Sequence, residues 1–291
     1  MIGRRNPGSL VRSVIKRALA RRWLAAQELR NKVRFAPTAL ALRRIEQAEV
    51  ARLERKVEPL PPAKVATIIL TYRRPEMLLR AVRSALAQTE RDHVVIVIDD
   101  GGGGLPELPE DPRLRAYSLS ANTAVVGVVV NVGMRLTRST YVAFLADDNE
   151  WKPNHLEVAL EALETGPVGD RPDLVYTALL RSFPDGRLMD KLSVPFDRKL
   201  LAREGYVDGN AVVIRRFRGL HCSRIRRPRG IAPREDWELV YRLSRRRRVL
   251  HVPVPTVHYQ VHRESYWSDW PEDLEFRRPS AGTVNPGARS S

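Results

Sequence analysis

YVAFLADDNEWKPNHL, residues 141–156, opens as a β-branched and aromatic run and ends abruptly in two adjacent carboxylates, Asp147 and Asp148. Such a run reads as a buried strand. Carboxylates are costly to bury, so the pair belongs at the end of the strand, facing solvent. Two like charges so close repel, and a divalent cation relieves the repulsion. A hard cation such as Mg²⁺ or Mn²⁺ takes oxygen ligands and leaves room for phosphate oxygens and water. The competing reading is that the pair only caps the helix that follows, and on these residues alone both readings stand.

Upstream, VATIIL from Val65 is a second β-branched run, PEMLLRAVRSALAQ carries helical periodicity behind a first-turn proline, and VVIVI before Asp99 is a third strand. TAVVGVVVNVGMRLT supplies a further helix ahead of the 141–146 strand. Strands alternating with helices predict a parallel sheet. Ligands of open α/β sheets sit beyond the carboxyl ends of the strands, where Thr71–Arg74, Asp99–Gly104 and Asp147–Asn149 all fall. Downstream the pattern predicts a helix around 153–164, a strand at 173–180, a turn at 184–187 and a strand at 209–215. A helix over 234–243 and two strand-like runs, 248–252 and 256–261, follow.

These motifs, in this order and continuing through PREDWELVYRL and the VHYQVH run, resemble family-2 glycosyltransferases with the GT-A fold over roughly residues 64–264. The resemblance implies an α/β class: an open, mostly parallel sheet flanked by helices, here with an N-terminal helical extension. It implies transfer of a sugar from a nucleoside-diphosphate donor, UDP-sugars first, to an acceptor hydroxyl, by a metal-dependent and inverting route. Thr71 and Tyr72 match the family's contacts to the base, Arg74 shares their donor loop, and Asp99 or Asp100 matches the acid that meets base or ribose. Asp147, Asp148 and Asn149 resemble the Asp-x-Asp-type element, with Asp148 as direct ligand of Mn²⁺ or Mg²⁺ and Asp147 meeting ribose or metal. His262 matches a histidine placed near the diphosphate or metal, with His258 as its competitor. Asp236, beside Glu235, matches the base on the acceptor hydroxyl, and Trp237 the acceptor-side aromatic. Without the resemblance, two acids opening a helix read as partners of its dipole. The chain departs from the family at Arg73 (usually Asn), Gly102 (usually Ser), Val129–Asn131 (often Ala-Arg-Asn) and Asn149 (commonly Asp).

Of the net charge of +16, residues 1–60 contribute +10, from 15 Lys/Arg against 5 Glu. The basicity therefore belongs to the N-terminal segment more than to the catalytic region. That segment reads as a basic amphipathic helix, broken at Pro37, and a second helix that Thr38 can cap. It predicts either peripheral contact with an anionic membrane through residues 9–35 or an arm packed on its own domain or on a second subunit. The expected division is 1–60 as helical extension, 64–264 as catalytic domain and 265–291 as an irregular tail. A single cysteine, Cys222, and no apolar run of spanning length predict a cytoplasmic protein, at most on the inner face of the membrane.

Two rival classes follow from the same residues. Sugar-phosphate nucleotidyl transfer uses a similar sheet and metal, but it opens with a Gly-rich loop carrying Arg and Lys, where this chain has LTYRRPEM. Gly101–Gly104 lacks the Gly-Lys-Ser/Thr of a phosphate-binding loop and reads as a flexible cover over the donor. A polyanion-binding protein would need interleaved aromatics or a nucleic-acid motif, and neither occurs, so no nucleic-acid partner is expected.

Overall fold

The computed structural model of the chain describes residues 24–56, 59–165, 167–227 and 231–261. Helical residues 24–34 (α1) and Ala36–Lys56 (α2) come first. Pro37 sits in the first turn of α2, where its missing N–H is not needed, so the helix starts before Thr38 instead of being capped by it.

The first half then alternates strand and helix: β1 (Ala63–Thr71), α3 (Pro75–Leu86), β2 (His93–Asp99), β3 (Leu114–Ser118), α4 (Val126–Arg135) and β4 (Ser139–Ala146). The short β5 (Asn149–Trp151) and α5 (His155–Glu164) follow. The second half holds β6 (Leu174–Ser182), β7 (Leu188–Leu192), α6 (Arg198–Leu201), β8 (Val212–Arg215), α7 (Glu235–Leu243) and β9 (Val249–Gln260).

One sheet runs β3-β2-β1-β4-β8-β6-β9-β5, with β7 hairpinned onto β6. Its leading four strands are parallel, β1 lying between β2 and β4 with Leu70 level with both Ile98 and Ala146. Side chains of β1, β2 and β4 are buried on both faces, which is why these strands read as unbroken apolar runs. Beyond β4 the sheet mixes directions: β8 and β6 join antiparallel, β9 lies parallel to β6, and β5 runs antiparallel on β9.

β9 is one strand and not the two runs expected. Its ladder with β6 shifts register around Ala178, opposite the segment holding Pro253 and Pro255. A proline offers no N–H to a ladder, so the strand continues past it only by slipping register. Residues 1–23, the proposed tail 265–291 and His262 lie outside the described residues. Among the described residues, no helix is long and apolar enough to cross a membrane.

Candidate active site

The parallel register of β1 and β4 decides the site. Since Leu70 pairs with Ala146, the residues after both strands emerge side by side. Thr71 Oγ1 donates to Asp147 Oδ2 at 2.7 Å, and Arg74 Nη1 reaches Asp147 Oδ1 at 3.3 Å and Asp148 Oδ2 at 2.9 Å. Asn149 Nδ2 holds the other oxygen of Asp148 at 2.6 Å. The acidic pair thus opens no helix; α5 begins only at His155.

Between β1 and α3, Arg73 takes a left-handed conformation at φ 56°. Asparagine adopts that conformation more readily than arginine. The Arg73 guanidinium lies 5.1 Å from the Tyr72 ring centroid and leaves Tyr72 at the cavity mouth.

After β2, the two aspartates separate. Both oxygens of Asp99 accept from Gly102 N at 3.0 Å, closing the glycine turn, and Asp99 does not reach the cavity. Asp100 lines the cavity, and its oxygens accept from Thr123 N and Oγ1 and from Ala124 N at 2.8–2.9 Å.

A turn that sequence reasoning passed over joins the two halves. Asn210 Oδ1 accepts from Ala146 N at 2.6 Å, next to Asp147, while the Asn210 carbonyl accepts from Trp151 Nε1 at 2.8 Å. On its other side, Gly209 N donates to Asp236 Oδ2 at 3.4 Å. Asp208 starts the turn by accepting from Asn210 N and Nδ2 at 2.8 and 2.7 Å. The signal was Asp-Gly-Asn ahead of the VVIR strand, a turn sequence read instead as the start of that strand.

Asp236 opens α7, oriented by Trp237 N at 2.7 Å as well as by Gly209 N. Trp237 donates its Nε1 to the Leu201 carbonyl at 2.5 Å. Gly205 lies flat against its ring, since a Cβ there would come within 3.0 Å of Trp237 Cδ2. Glu235, Asp236 and Trp237 share with Thr71, Tyr72, Arg74, Asp100, Asp147, Asp148 and Asp208 the lining of one cavity of about 910 Å³. That volume lies at the upper end of the range for small-molecule sites. His258 stands on β9 opposite Glu150 and outside this cavity.

The cavity is electrostatically loaded. Burial, aided by the Asp148 charge, pushes the Asp147 carboxyl up to about 6. Burial and then the Asp236 carboxylate raise Asp208, and burial raises Asp236 itself. Glu235 is pushed up to about 7, burial first and Asp236 adding to it. Crowded acids of this kind are characteristic of ligand-binding and catalytic sites. The carboxylate oxygens suit a hard cation, though Arg74, Arg181, Arg203 and Arg234 line the same cavity and Arg74 already meets Asp147 and Asp148. Among the described residues, no three His, Cys, Asp or Glu side chains converge to hold an ion unaided. The residues fit an ion that Asp148 shares with a ligand's own oxygens, as Mg²⁺ and Mn²⁺ allow.

With that geometry in place, comparison with known proteins is informative. The model of glycosyl transferase family 2 matches residues 67–223, more than half of the chain. An uncharacterised glycosyltransferase of Nostoc sp. is 30% identical over 110 residues, covering 36% of this chain and 34% of that protein. The putative colanic acid biosynthesis glycosyl transferase WcaA of Escherichia coli is 27% identical over 161 residues, 52% of this chain and 57% of its own. Succinoglycan biosynthesis protein ExoO of Rhizobium meliloti is 27% identical over 198 residues, 62% of this chain and 57% of its own. The chain therefore spans between about a third and three-fifths of these relatives' lengths. Among solved structures, residues 1–349 of S. aureus TarS in complex with UDP-GlcNAc superpose with a TM-score of 0.52 at 14% identity, over 68% of this chain and 59% of that one. The shared architecture is the GT-A fold.

The raised Glu235 gives a stability test with a definite sign. A carboxyl whose folded-state pKa is about 7, against about 4.3 unfolded, favours the native state at low pH and withdraws that support as pH rises through 7. Relative to the parent, Glu235→Gln should gain melting temperature by several degrees between about pH 4 and 7, with no further change above. Thermal melts across that range check this; a flat difference contradicts burial as the cause.

Proposed function

Because the chain belongs to glycosyl transferase family 2, we propose that its domain over residues 64–264 transfers a sugar from a nucleoside diphosphate to an acceptor hydroxyl. One observation carries the reading: Asp148 and Asp236 wall a single cavity, and the Asp208–Asn210 turn bonds both Asp236 and Ala146, two residues before Asp148. In this reading Thr71, Tyr72 and Asp100 face the nucleoside, and Arg74 brings positive charge to the diphosphate. A bound Mn²⁺ or Mg²⁺ on Asp148 would supply further positive charge to the departing diphosphate.

Asp236 takes the proton from the incoming hydroxyl. Its raised pKa makes it a stronger base than an ordinary carboxylate, and two backbone N–H groups fix its direction. Attack from the face opposite the leaving diphosphate inverts the anomeric carbon. Glu235, pushed up to about 7 by burial, carries less charge near neutrality than an ordinary carboxylate and so opposes ionisation of Asp236 less. UDP is the first nucleotide to test, since the TarS neighbour was solved with UDP-GlcNAc.

UDP with Mn²⁺ should raise the melting temperature, because saturation at about 100 times Kd stabilises by about 2.7 kcal/mol. Asp236→Asn should lower transfer by about 10²- to 10⁴-fold and leave UDP affinity within about twofold. Unchanged turnover removes the base assignment. No shift with UDP, GDP, CDP or dTDP removes the reading altogether.

The same reading extends to location: the enzyme works in the cytoplasm at an anionic membrane surface. On α1 and α2, Leu29, Val33, Leu40 and Ile45 are exposed among the exposed cations Arg30, Lys32, Arg34, Arg43 and Arg44. Basic helices with an apolar face bind acidic lipid. The full chain should float with vesicles containing phosphatidylglycerol and not with neutral ones. Val33→Asp with Leu40→Asp should abolish flotation; flotation unchanged in that variant ends the idea.

A further inference from the structure

We propose that α1 and α2 form a positioning arm, with Glu46 at its centre, that clamps the donor-side helix α4 to the acceptor-side residues 216–227 and 231–234. The proposal rests on the reading of Asp236 as the acceptor base. Segment 216–234 leads directly into Glu235 and Asp236, yet its described residues form no helix or strand. Its described residues make few backbone bonds, among them Arg216 N to the Thr140 carbonyl and Leu220 N to the Phe217 carbonyl at 2.8 and 3.1 Å, so side chains hold much of it in place.

Glu46, only 1% exposed, grips both sides at once. Its Oε2 and Oε1 accept from Arg224 Nε and Nη2 at 2.6 and 2.7 Å, a paired fork that sets direction as well as distance. The same Oε2 accepts from Asn131 Nδ2 of α4 at 2.9 Å. Asn131 in turn accepts from Cys222 N at 2.7 Å and donates to the Cys222 carbonyl at 3.1 Å. Cys222 lines the active-site cavity, as do Val126, Val129 and Val130 of α4. One carboxylate therefore stands behind both walls.

The contact between those walls has no slack. A Cβ on Gly127, in the first turn of α4, would come within 1.9 Å of the Ser223 carbonyl oxygen. Three more bonds extend the grip towards α7. The fully buried Arg227 side chain is forked on Glu28 of α1 at 2.9 and 3.0 Å, and Asn31 donates to the Ala232 carbonyl at 3.2 Å, three residues before Glu235. A buried arginine without its carboxylate is strongly disfavoured, so losing the arm would force the buried Arg227 to move and free the half-buried Arg224, loosening the segment.

The positioning role separates from simple support of folding by what stays unchanged. In Glu46→Gln, UDP affinity measured by calorimetry should stay within twofold. Hydrolysis of the UDP-sugar that raises the melting temperature most should fall at least tenfold. Amide hydrogen exchange over residues 219–227 and the first turn of α7 should quicken at least tenfold, with β1 and α3 unchanged. Glu46→Asp, which keeps the charge, should fall between variant and parent. If Glu46→Gln does not fold, Arg224→Lys makes the same cut from the other side. Equal losses of UDP affinity and turnover, or unchanged exchange over 219–227, overturn the proposal. If no nucleotide binds even the parent chain, the enzymatic reading fails while the exchange result still decides whether the arm holds the segment.

Discussion

The acidic half of the site follows from the parallel register of β1 against β4. With Leu70 level with Ala146, Thr71 meets Asp147 across one hydrogen bond and Arg74 can straddle both acids. A slip of one residue would turn every side chain of the slipped strand to the opposite face and scatter that group. The register is held by core side chains on both faces of the two strands, Ile68, Ile69, Phe144 and Leu145 among them. Packing far from any ligand therefore determines where the carboxylates stand.

Held there, the acids act on one another. Asp147, Asp208, Asp236 and Glu235 all carry pKa values above the ordinary carboxylate range, and burial is the first cause in each. A cavity in that state gains from any positive charge that enters it. Arg74 provides some of that charge from the protein itself, and the oxygen-rich lining leaves a place for more. The arrangement stores an electrostatic cost in the free protein that a cation and its ligand would offset.

Much of this was legible in the chain. The buried strands β1, β2 and β4 announce themselves as β-branched runs, and the residues that follow them land in one crevice because of how parallel sheets connect. The acceptor side was legible only through the likeness to a family, since Glu235 and Asp236 alone read as acids at a helix start. Short or half-exposed strands were not legible. β5 is three residues long and owes its form to pairing with β9, while β3 and β7 lack a continuous buried run. The Asp208–Asn210 turn was missed because its meaning is tertiary: Asn210 matters for the distant Ala146 N–H that it accepts. The packing of α2 on the domain was one of two expectations for a basic amphipathic segment, and Glu46, Glu49 and Arg52 make that contact through polar bonds that hydrophobic periodicity does not register.

The central claim is that Asp148 and Asp236 serve one ligand from two sides of one cavity. A crystal structure of the full chain soaked with UDP and Mn²⁺ tests it most directly. The account predicts metal density within coordination distance of Asp148, about 2.0–2.1 Å for Mg²⁺-like oxygen ligation, with uracil beside Thr71 and Tyr72 and the free face of the diphosphate turned towards Asp236. Nucleotide density outside this cavity, or a metal bound away from Asp148, would contradict it.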